Sequence, residues 1–571
     1  MTMDNIRLML IMALIFVLLL IYQAWQEDYG PKPTVVEPPR ASTPAPDTPA
    51  TTASALPDTT NNDIPTAPPS DASLPNTSSV LPKVSFSSVL QEEQRVIVET
   101  DVMIVEIDTM GGDLRRKFLL DYPVSVQNSS PFQLMNDKLP NLFVAQSGLL
   151  PADTAPNHLT VYQAEKTHYQ LDATGDTLTV PLQWTNAQGI RVVKSFIFTR
   201  GSHVIKVIHH VYNGSEQPWL VRQYAQFQRT QVAEEGQSSF IYTYMGGAIS
   251  SPKQLYEKIT FENLAENKLN PEARGSWAGG WAAMLQHYFV AAWVPPREEQ
   301  FSYFGRMLTE GKRYMLGLYG PTTSVAAGGE HQFELQLYAG PKIQDQLAAL
   351  APGLDLTVDY GWLWFIAQPL FWLLGAIYHL IGNWGMAIIL VTLLIKLAFF
   401  HLSATSYKSM ANMRRLQPRL IALKDRYGDD RTKLNQAMMD LYKKEKINPL
   451  SGCLPILIQI PVFIALYWVL LESVELRQAD FLWLTDLSRP DPYFILPLVM
   501  GVTMLIQQKL NPAPLDPMQQ KIMMILPIVF TVFFAFFPSG LVLYWVVNNV
   551  LSIAQQWVIT KKIAGDVSLT N

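Results

Sequence analysis

Charge is what this 571-residue chain has least of. Asp, Glu, Lys and Arg together make up 16% of it, while hydrophobic residues reach 49%. A soluble domain carries about 25% charge. A wholly water-exposed fold is therefore excluded if the apolar residues are clustered, and they are. Cysteine is nearly absent. Cys453 stands alone, which rules out an internal disulfide framework. Catalytic signatures are missing too: no G-x-x-x-x-G-K-[ST], no H-E-x-x-H and no G-x-S-x-G occurs. No enzyme, metal site or cofactor is expected. Any work must draw on hydrophobic transfer, the membrane potential or a partner.

Leu8–Tyr22 is an apolar run with Arg7 before it and Glu27 and Asp28 after it. The small-x-small pattern of a cleavage site does not follow it. Residues 1–29 therefore read as an uncleaved anchor with a cytoplasmic N-terminus. Residues 30–80 contain twelve prolines in 51 positions, with mostly Thr, Ser, Ala, Asp and Asn between them. Such a stretch cannot bury enough apolar surface to offset its ordering entropy, and is expected to be a tether. Residues 81–350 change to short β-rich runs between turn signals, including Val102–Asp108, Leu159–Tyr162, Thr177–Trp184, Arg191–Thr199, His203–Tyr212 and Glu334–Leu337. Their density predicts a large antiparallel sandwich, placed in the periplasm by the preceding anchor. His209-His210 falls in one of these strands and reads as structural.

From residue 359 the chain becomes a membrane text. Residues 359–382 are aromatic-rich and are expected to form a helix along the periplasmic surface. Five apolar runs follow, at Gly385–Leu402, Leu454–Leu471, Tyr493–Gln507, Ile522–Phe537 and Leu541–Ile559. With the anchor they predict six crossings. Residues 407–452 carry eleven Lys or Arg against five acids, and residues 472–492 carry two against five. The positive-inside rule then puts 407–452 and both termini in the cytoplasm. Within 407–447 an apolar stripe of Met410, Met413, Leu416, Leu420 and Leu423, then Leu434, Met438 and Leu441, predicts a helical hairpin. Gly428 would end its first helix and Asp430 would cap the second. That stripe suits either packing between the two helices or reception of varied hydrophobic segments.

Lys396 is the most informative residue. It stands in an apolar run, where a charge at the bilayer centre costs roughly 2.5–3.5 kcal/mol. It either snorkels or lines a water-filled cavity. Thr392 shares its face. Gln459, Thr503, Thr531, Asn548, Asn549, Ser552, Gln555 and Gln556 add polar groups to other runs, as interhelical glue or as the walls of a wet groove.

The residues Asn383-Trp384-Gly385, Gln417-Pro418, Asn448-Pro449-Leu450, Cys453-Leu454-Pro455 through Gln459-Ile460-Pro461, Ser473-Val474-Glu475-Leu476-Arg477, Asp516-Pro517-Met518-Gln519-Gln520-Lys521 and Phe537-Pro538-Ser539-Gly540-Leu541 resemble the YidC membrane protein insertase family. The anchor, tether and large extracytoplasmic domain fit its Gram-negative form. The resemblance implies a five-helix core, residues 383–562, with a cationic groove open to cytoplasm and lipid, beneath a periplasmic β-supersandwich. It implies a bacterial inner-membrane insertase and chaperone. Its partners would be nascent inner-membrane proteins, the ribosome, membrane lipids and the SecYEG and SecDF complexes; direct DNA binding is not expected. Carried over by position, the groove falls on Lys396, Thr392, Gln459, Tyr544, Trp545 and Asn548. Relatives often have arginine at the position of Lys396 and a second tyrosine at that of Trp545, so charge is kept but a bidentate fork is not. The alternative reading is a secondary transporter for a small anion, which calls for inverted repeats that the chain does not display. An anchored carbohydrate enzyme would need convergent acids or histidines in 81–350, and none stand out.

Overall fold

The structure is a computed structural model that describes residues 64–65, 90, 92–151, 153–232, 243–269, 275–308, 312–427, 430–445, 454–511 and 517–568. The anchor, and all of the tether but Ile64 and Pro65, lie outside the described residues. So do Gly428 and Cys453.

Residues 95–341 fold into two stacked sheets. One has eleven strands and runs from Ser276–Ala278 through Gln300–Leu308, Arg313–Tyr319, Trp219–Thr230, Phe143–Leu150, Asp113–Pro123, Met103–Asp108 and Arg95–Glu99 to His168–Gln170. The other has nine, from Glu257–Ile259 through Gly246–Ile249, Ala282–Leu285, Phe289–Val294, Glu330–Pro341, Val204–Asn213, Ile190–Thr199 and Thr177–Thr185 to Gln163–Ala164. Pairing is antiparallel except between Arg95–Glu99 and His168–Gln170. Alternation along each strand makes the core. Val96, Val98, Val105, Phe196, Phe198, Ile205, Val207, Phe227, Leu335 and Leu337 meet between the sheets. Arg200-Gly201-Ser202 turns between Ile190–Thr199 and Val204–Asn213 as the sequence suggests, with Gly201 at φ 68°. Leu159–Tyr162 is not a strand. Val161 makes only an isolated bridge to Met110, because Asn157 turns the chain back on itself through Leu159 N and Thr160. His209 is fully buried on the inner face, and His210 pairs with Glu330 at 3.3 Å. Short helices α1 (Phe261–Ala265) and α2 (Gln344–Leu350) complete the domain.

The second half is helical: α3 (Trp364–Ile381), α4 (Trp384–Ala398), α5 (Phe400–Tyr427), α6 (Arg431–Lys444), α7 (Leu454–Glu472), α8 (Ile495–Leu510), α9 (Pro517–Phe534) and α10 (Ser539–Ser568). Asn383 caps α4, its side chain accepting from Met386 N. The run read as Gly385–Leu402 is broken: α4 and α5 meet at 69° around Phe399. Among the described residues, the segment long and apolar enough to cross a membrane is Gly361–Ile381, the one expected to lie along the surface. The bent pair α4 and α5 qualifies only when counted together, and the apolar parts of α7, α8 and α9 are shorter. Outward side chains on α8 and α9 are apolar, including Leu498, Val502, Ile525, Ile528 and Val532, each more than half exposed. An apolar exterior of this extent marks contact with lipid rather than water. Glycine lets helices close in: a Cβ on Gly501 of α8 would collide with the Thr531 hydroxyl of α9.

The β-domain sits on the helices through polar contacts. Arg477 donates to the carbonyls of Pro123 and Val124 at 2.7 and 3.0 Å, and Gln478 to Pro123 at 2.8 Å. The Arg477 guanidinium also lies over the rings of Phe132 and Phe289. The His287 ring meets the Leu471 carbonyl at 3.1 Å, and Lys342 pairs with Glu472 across 4.0 Å, both buried.

Candidate substrate groove

Five helices enclose a cavity of about 480 Å³. Its walls are Ser403, Ser406, Tyr407 and Met410 of α5, Gln459, Ile460 and Phe463 of α7, Met504, Gln507, Gln508 and Asn511 of α8, Met523 and Leu526 of α9, and Tyr544, Trp545, Asn548, Asn549 and Ser552 of α10. The 3.6-residue period explains how one helix supplies several of these. Tyr544, Asn548 and Ser552 follow at steps of four, and Ser403, Ser406, Tyr407 and Met410 at three, one and three. From Tyr544 to Ser552 the wall runs eight residues, or about 12 Å.

One end is aromatic. Phe463 stacks on Tyr544 at 6.0 Å and meets Trp545 edge-on at 4.8 Å, and Phe534 lies 5.5 Å from Trp545. Trp545 Nε1 is buried and has no hydrogen-bond partner among the described residues. The other end is polar, with Ser403, Ser406, Gln508, Asn511 and Ser552. Beyond it begins the hairpin.

Lys396 lies behind this wall, near the bend between α4 and α5. It is 6% exposed, and its ammonium donates to Ser552 Oγ at 2.7 Å. Ser552 in turn donates to the Asn548 carbonyl at 2.7 Å. Among the described residues Lys396 takes part in no ion pair. One serine hydroxyl of the cavity wall thus separates the charge from the cavity. Ordinarily a buried cation needs a carboxylate beside it, because desolvation otherwise costs several kcal/mol.

The remaining residues named from the sequence sort into three places. Gln459, Tyr544, Trp545 and Asn548 line the cavity, and so does Met410. Thr392 does not; it is fully buried and its hydroxyl bonds back to the Ile388 carbonyl at 2.6 Å. Leu416, Leu420 and Met438 are buried between α5 and α6 with Tyr442, and Leu441 packs against them. Their apolar surface is therefore taken up in closing the hairpin. Met413 is half-buried on α5. Asp430 caps α6 as expected, accepting from Lys433 N at 3.0 Å. Of the other intramembrane polar groups, Asn549 donates to Thr503 at 3.2 Å, Gln556 to Leu510 and Asn511, and Thr531 to Pro527 of its own helix. The Asn549 and Gln556 bonds join α10 to α8, while that of Thr531 stays within α9.

Sequence reasoning missed Ser403 and Ser406, which fall between the apolar run and the hairpin, and Tyr407, the hairpin's first residue. Their spacing with Met410 was the available signal. Gln507, Gln508 and Asn511 were missed at the frayed end of a run.

Two family models match consecutive parts of the chain: the YidC periplasmic domain over residues 95–373 and the 60Kd inner membrane protein over residues 376–566. The membrane protein insertase YidC of Nitrosococcus oceani is 49% identical over 565 residues, covering 98% of this chain and 99% of the relative. That of Methylococcus capsulatus is 50% identical over 566 residues, with the same coverage. A solved structure described as an active YidC insertase with its first transmembrane domain resolved aligns over 82% of this chain and 93% of its own, with 18% identity and a TM-score of 0.37.

Proposed function

This chain belongs to the YidC family, and from that premise we propose that it inserts and folds proteins of the bacterial inner membrane through the cavity walled by α5 and α7–α10. The observation that carries the reading is the ammonium of Lys396, buried among apolar helices and hydrogen-bonded to Ser552, a residue of the cavity wall. A group so placed favours a wet, anionic or strongly polar visitor.

The steps follow from the walls. The cavity opens to the cytoplasm and to lipid beside α8 and α9. An acidic or polar extracytoplasmic tail enters the polar end, drawn by Lys396. Its apolar segment stays against Met410, Met504, Met523 and Leu526, side chains soft enough for varied sequences. The tail then crosses the aromatic end while the segment moves sideways into lipid. Partition drives this at about 0.8 kcal/mol per buried methylene. The membrane potential adds about 2.3 kcal/mol per negative charge per 100 mV.

Six crossings, cytoplasmic termini and a periplasmic β-domain complete the arrangement. SecYEG, SecDF and the ribosome are the proposed partners for substrates that do not arrive alone. The α5–α6 hairpin, closed on its own apolar stripe, offers Met413 and its basic exterior to the arriving chain. Photocrosslinking from Gln459, Tyr544 and Met410 to a stalled nascent membrane protein tests the path. Adducts should form at all three positions and be lost when the apolar segment is replaced by a soluble one. Equal adducts from an outward residue such as Val502 would remove the groove from the scheme.

A further inference from the structure

Two residues of the Pro-rich tether are placed, and the first is bonded to the β-domain. Ile64 is half-buried and Pro65 is buried. Arg306 Nη2 donates to the Ile64 carbonyl at 3.1 Å, across 242 residues of sequence.

Strand register tells which face they touch. Arg306 stands opposite Met315, and Met315 opposite Gln228. The adjacent row, Gly305, Leu316 and Phe227, points into the inter-sheet core, where Leu316 and Phe227 are buried. Directly opposed residues share a face and neighbours alternate. Arg306 therefore projects from the outer face of the eleven-stranded sheet. That face carries a hydrogen-bonded polar row. Arg313 donates to Gln228, Gln228 and Gln226 both donate to Gln146, and Gln146 donates to Asp113, at 2.7–3.0 Å. Met315, Gln226 and Gln228 have no exposed surface although they point away from the core. Other chain segments must cover them. At the Tyr224 end the cover is the segment around His158, whose ring meets the Tyr224 hydroxyl at 2.6 Å. At the Arg306 end the Ile64 carbonyl meets the Arg306 guanidinium, and Pro65 beside it is buried.

We propose that this outer face, at Arg306, is a peptide-binding site whose resident ligand is the chain's own tether, held through Ile64-Pro65. The dipeptide suits the place. Ile64 is the one isoleucine between residues 30 and 80. A residue before proline is biased to an extended backbone. Proline brings no N–H that burial would leave unsatisfied. A guanidinium bonded to a carbonyl is a charge-assisted contact. Stiff Pro-rich chain also loses less entropy on docking than a flexible one. Because ligand and site are on one chain, even a weak contact is favoured by its high effective concentration. The consequence is mechanical: docking fixes the tether to the β-domain at Ile64-Pro65, and so shortens the reach between anchor and β-domain.

The test uses the full chain in lipid nanodiscs, with Cys453→Ser and spin labels on Thr66→Cys and Gln300→Cys. Gln300 lies six residues from Arg306 on the same strand. A docked tether gives one narrow distance peak. Ile64→Gly with Pro65→Gly, which leaves every strand untouched, should spread it into a broad distribution, as expected of a coil whose 29 residues to Arg95 span about 30 Å r.m.s.. Arg306→Gln should do the same and Arg306→Lys should retain part of the peak. A broad distribution in the unaltered tether, or a narrow one that survives both glycines, overturns the proposal. Neither result depends on insertion activity.

Discussion

Replacing Lys396 by methionine isolates the groove charge. The side chain keeps its length, and a cation whose partner is the Ser552 hydroxyl gives way to an apolar group among apolar helices. The fold should therefore be no less stable. What is lost is attraction for an anion. A substrate carboxylate within 5 Å of the ammonium gains roughly 3 kcal/mol at an effective dielectric near 20. That corresponds to roughly 100-fold in occupancy. The assay is insertion into proteoliposomes of a single-span substrate with an acidic extracytoplasmic tail, beside a twin whose acids are amides. The acidic substrate should insert roughly 10- to 100-fold more slowly in Lys396→Met, while the amide twin hardly changes. Lys396→Arg should restore the rate, because charge rather than fork geometry is at work. An equal fall for both substrates would refute the electrostatic reasoning and leave Lys396 a packing residue. No fall for either would remove it from the mechanism.

Lys117 is fully buried in the β-domain, and burial pushes its amine down to about 7 from the ordinary 10.5. Between those values the unfolded chain holds the proton that the folded one has released. Stability should thus climb as pH rises from about 7 toward 10.5, with the penalty at its full size below 7. Lys117→Met should raise the denaturation midpoint at neutral pH and flatten that climb, and a midpoint lowered at pH 7 would contradict it. The buried Lys342–Glu472 pair joins domain to helices across 4.0 Å. Glu472→Leu alone should cost about 3–5 kcal/mol in thermal or denaturant unfolding, and Lys342→Met added to it should recover most of that. A lack of coupling in that double cycle would mean the two charges act separately. Leu420→Ala should cost about 2–5 kcal/mol in the hairpin alone, read as faster proteolysis between α5 and α6 with the β-domain cores unaffected.

Much of this architecture was legible because its periodicities are strong. Alternation at Ile190–Thr199 and Val204–Asn213 marked paired strands with the turn at Gly201. The hairpin's three- and four-residue steps put Leu416, Leu420 and Met438 on one stripe, and Asp430 announced its second helix. Groove and glue were harder to separate. Asn548 and Asn549 are neighbours in sequence and both border the cavity, yet Asn549 spends its amide on Thr503 of α8. Thr392 shares a helical face with Lys396 but turns its hydroxyl back on Ile388. A one-residue rotation decides such roles, and only tertiary packing sets that rotation. The bend at Phe399 was equally hidden, since hydropathy runs on through it. Nor does composition reveal that two residues of a disorder-prone tether meet a strand 242 residues away.

The dimensions of the bundle bear on how a tail could cross. α8 has 16 residues and so spans about 24 Å, less than the roughly 30 Å of bilayer hydrocarbon. Its apolar exterior requires lipid around it, and a short apolar belt is met at modest cost by thinning the bilayer. The cavity wall from Tyr544 to Ser552 occupies about 12 Å of that depth, polar at the Ser552 end and aromatic at the Tyr544 end. On the insertase reading, the dry part of the path begins at that aromatic end, where Phe463, Phe534, Tyr544 and Trp545 pack together and hold back water and ions when no substrate is present. Within that plug one donor, Trp545 Nε1, is buried without a partner among the described residues. A buried unsatisfied N–H costs about 1–3 kcal/mol, and a passing carboxylate or backbone carbonyl would relieve the cost at the point where the barrier is highest. The same plug thus resists leakage at rest and offers a hydrogen bond in transit, a combination that phenylalanine at 545 would keep only in its first half.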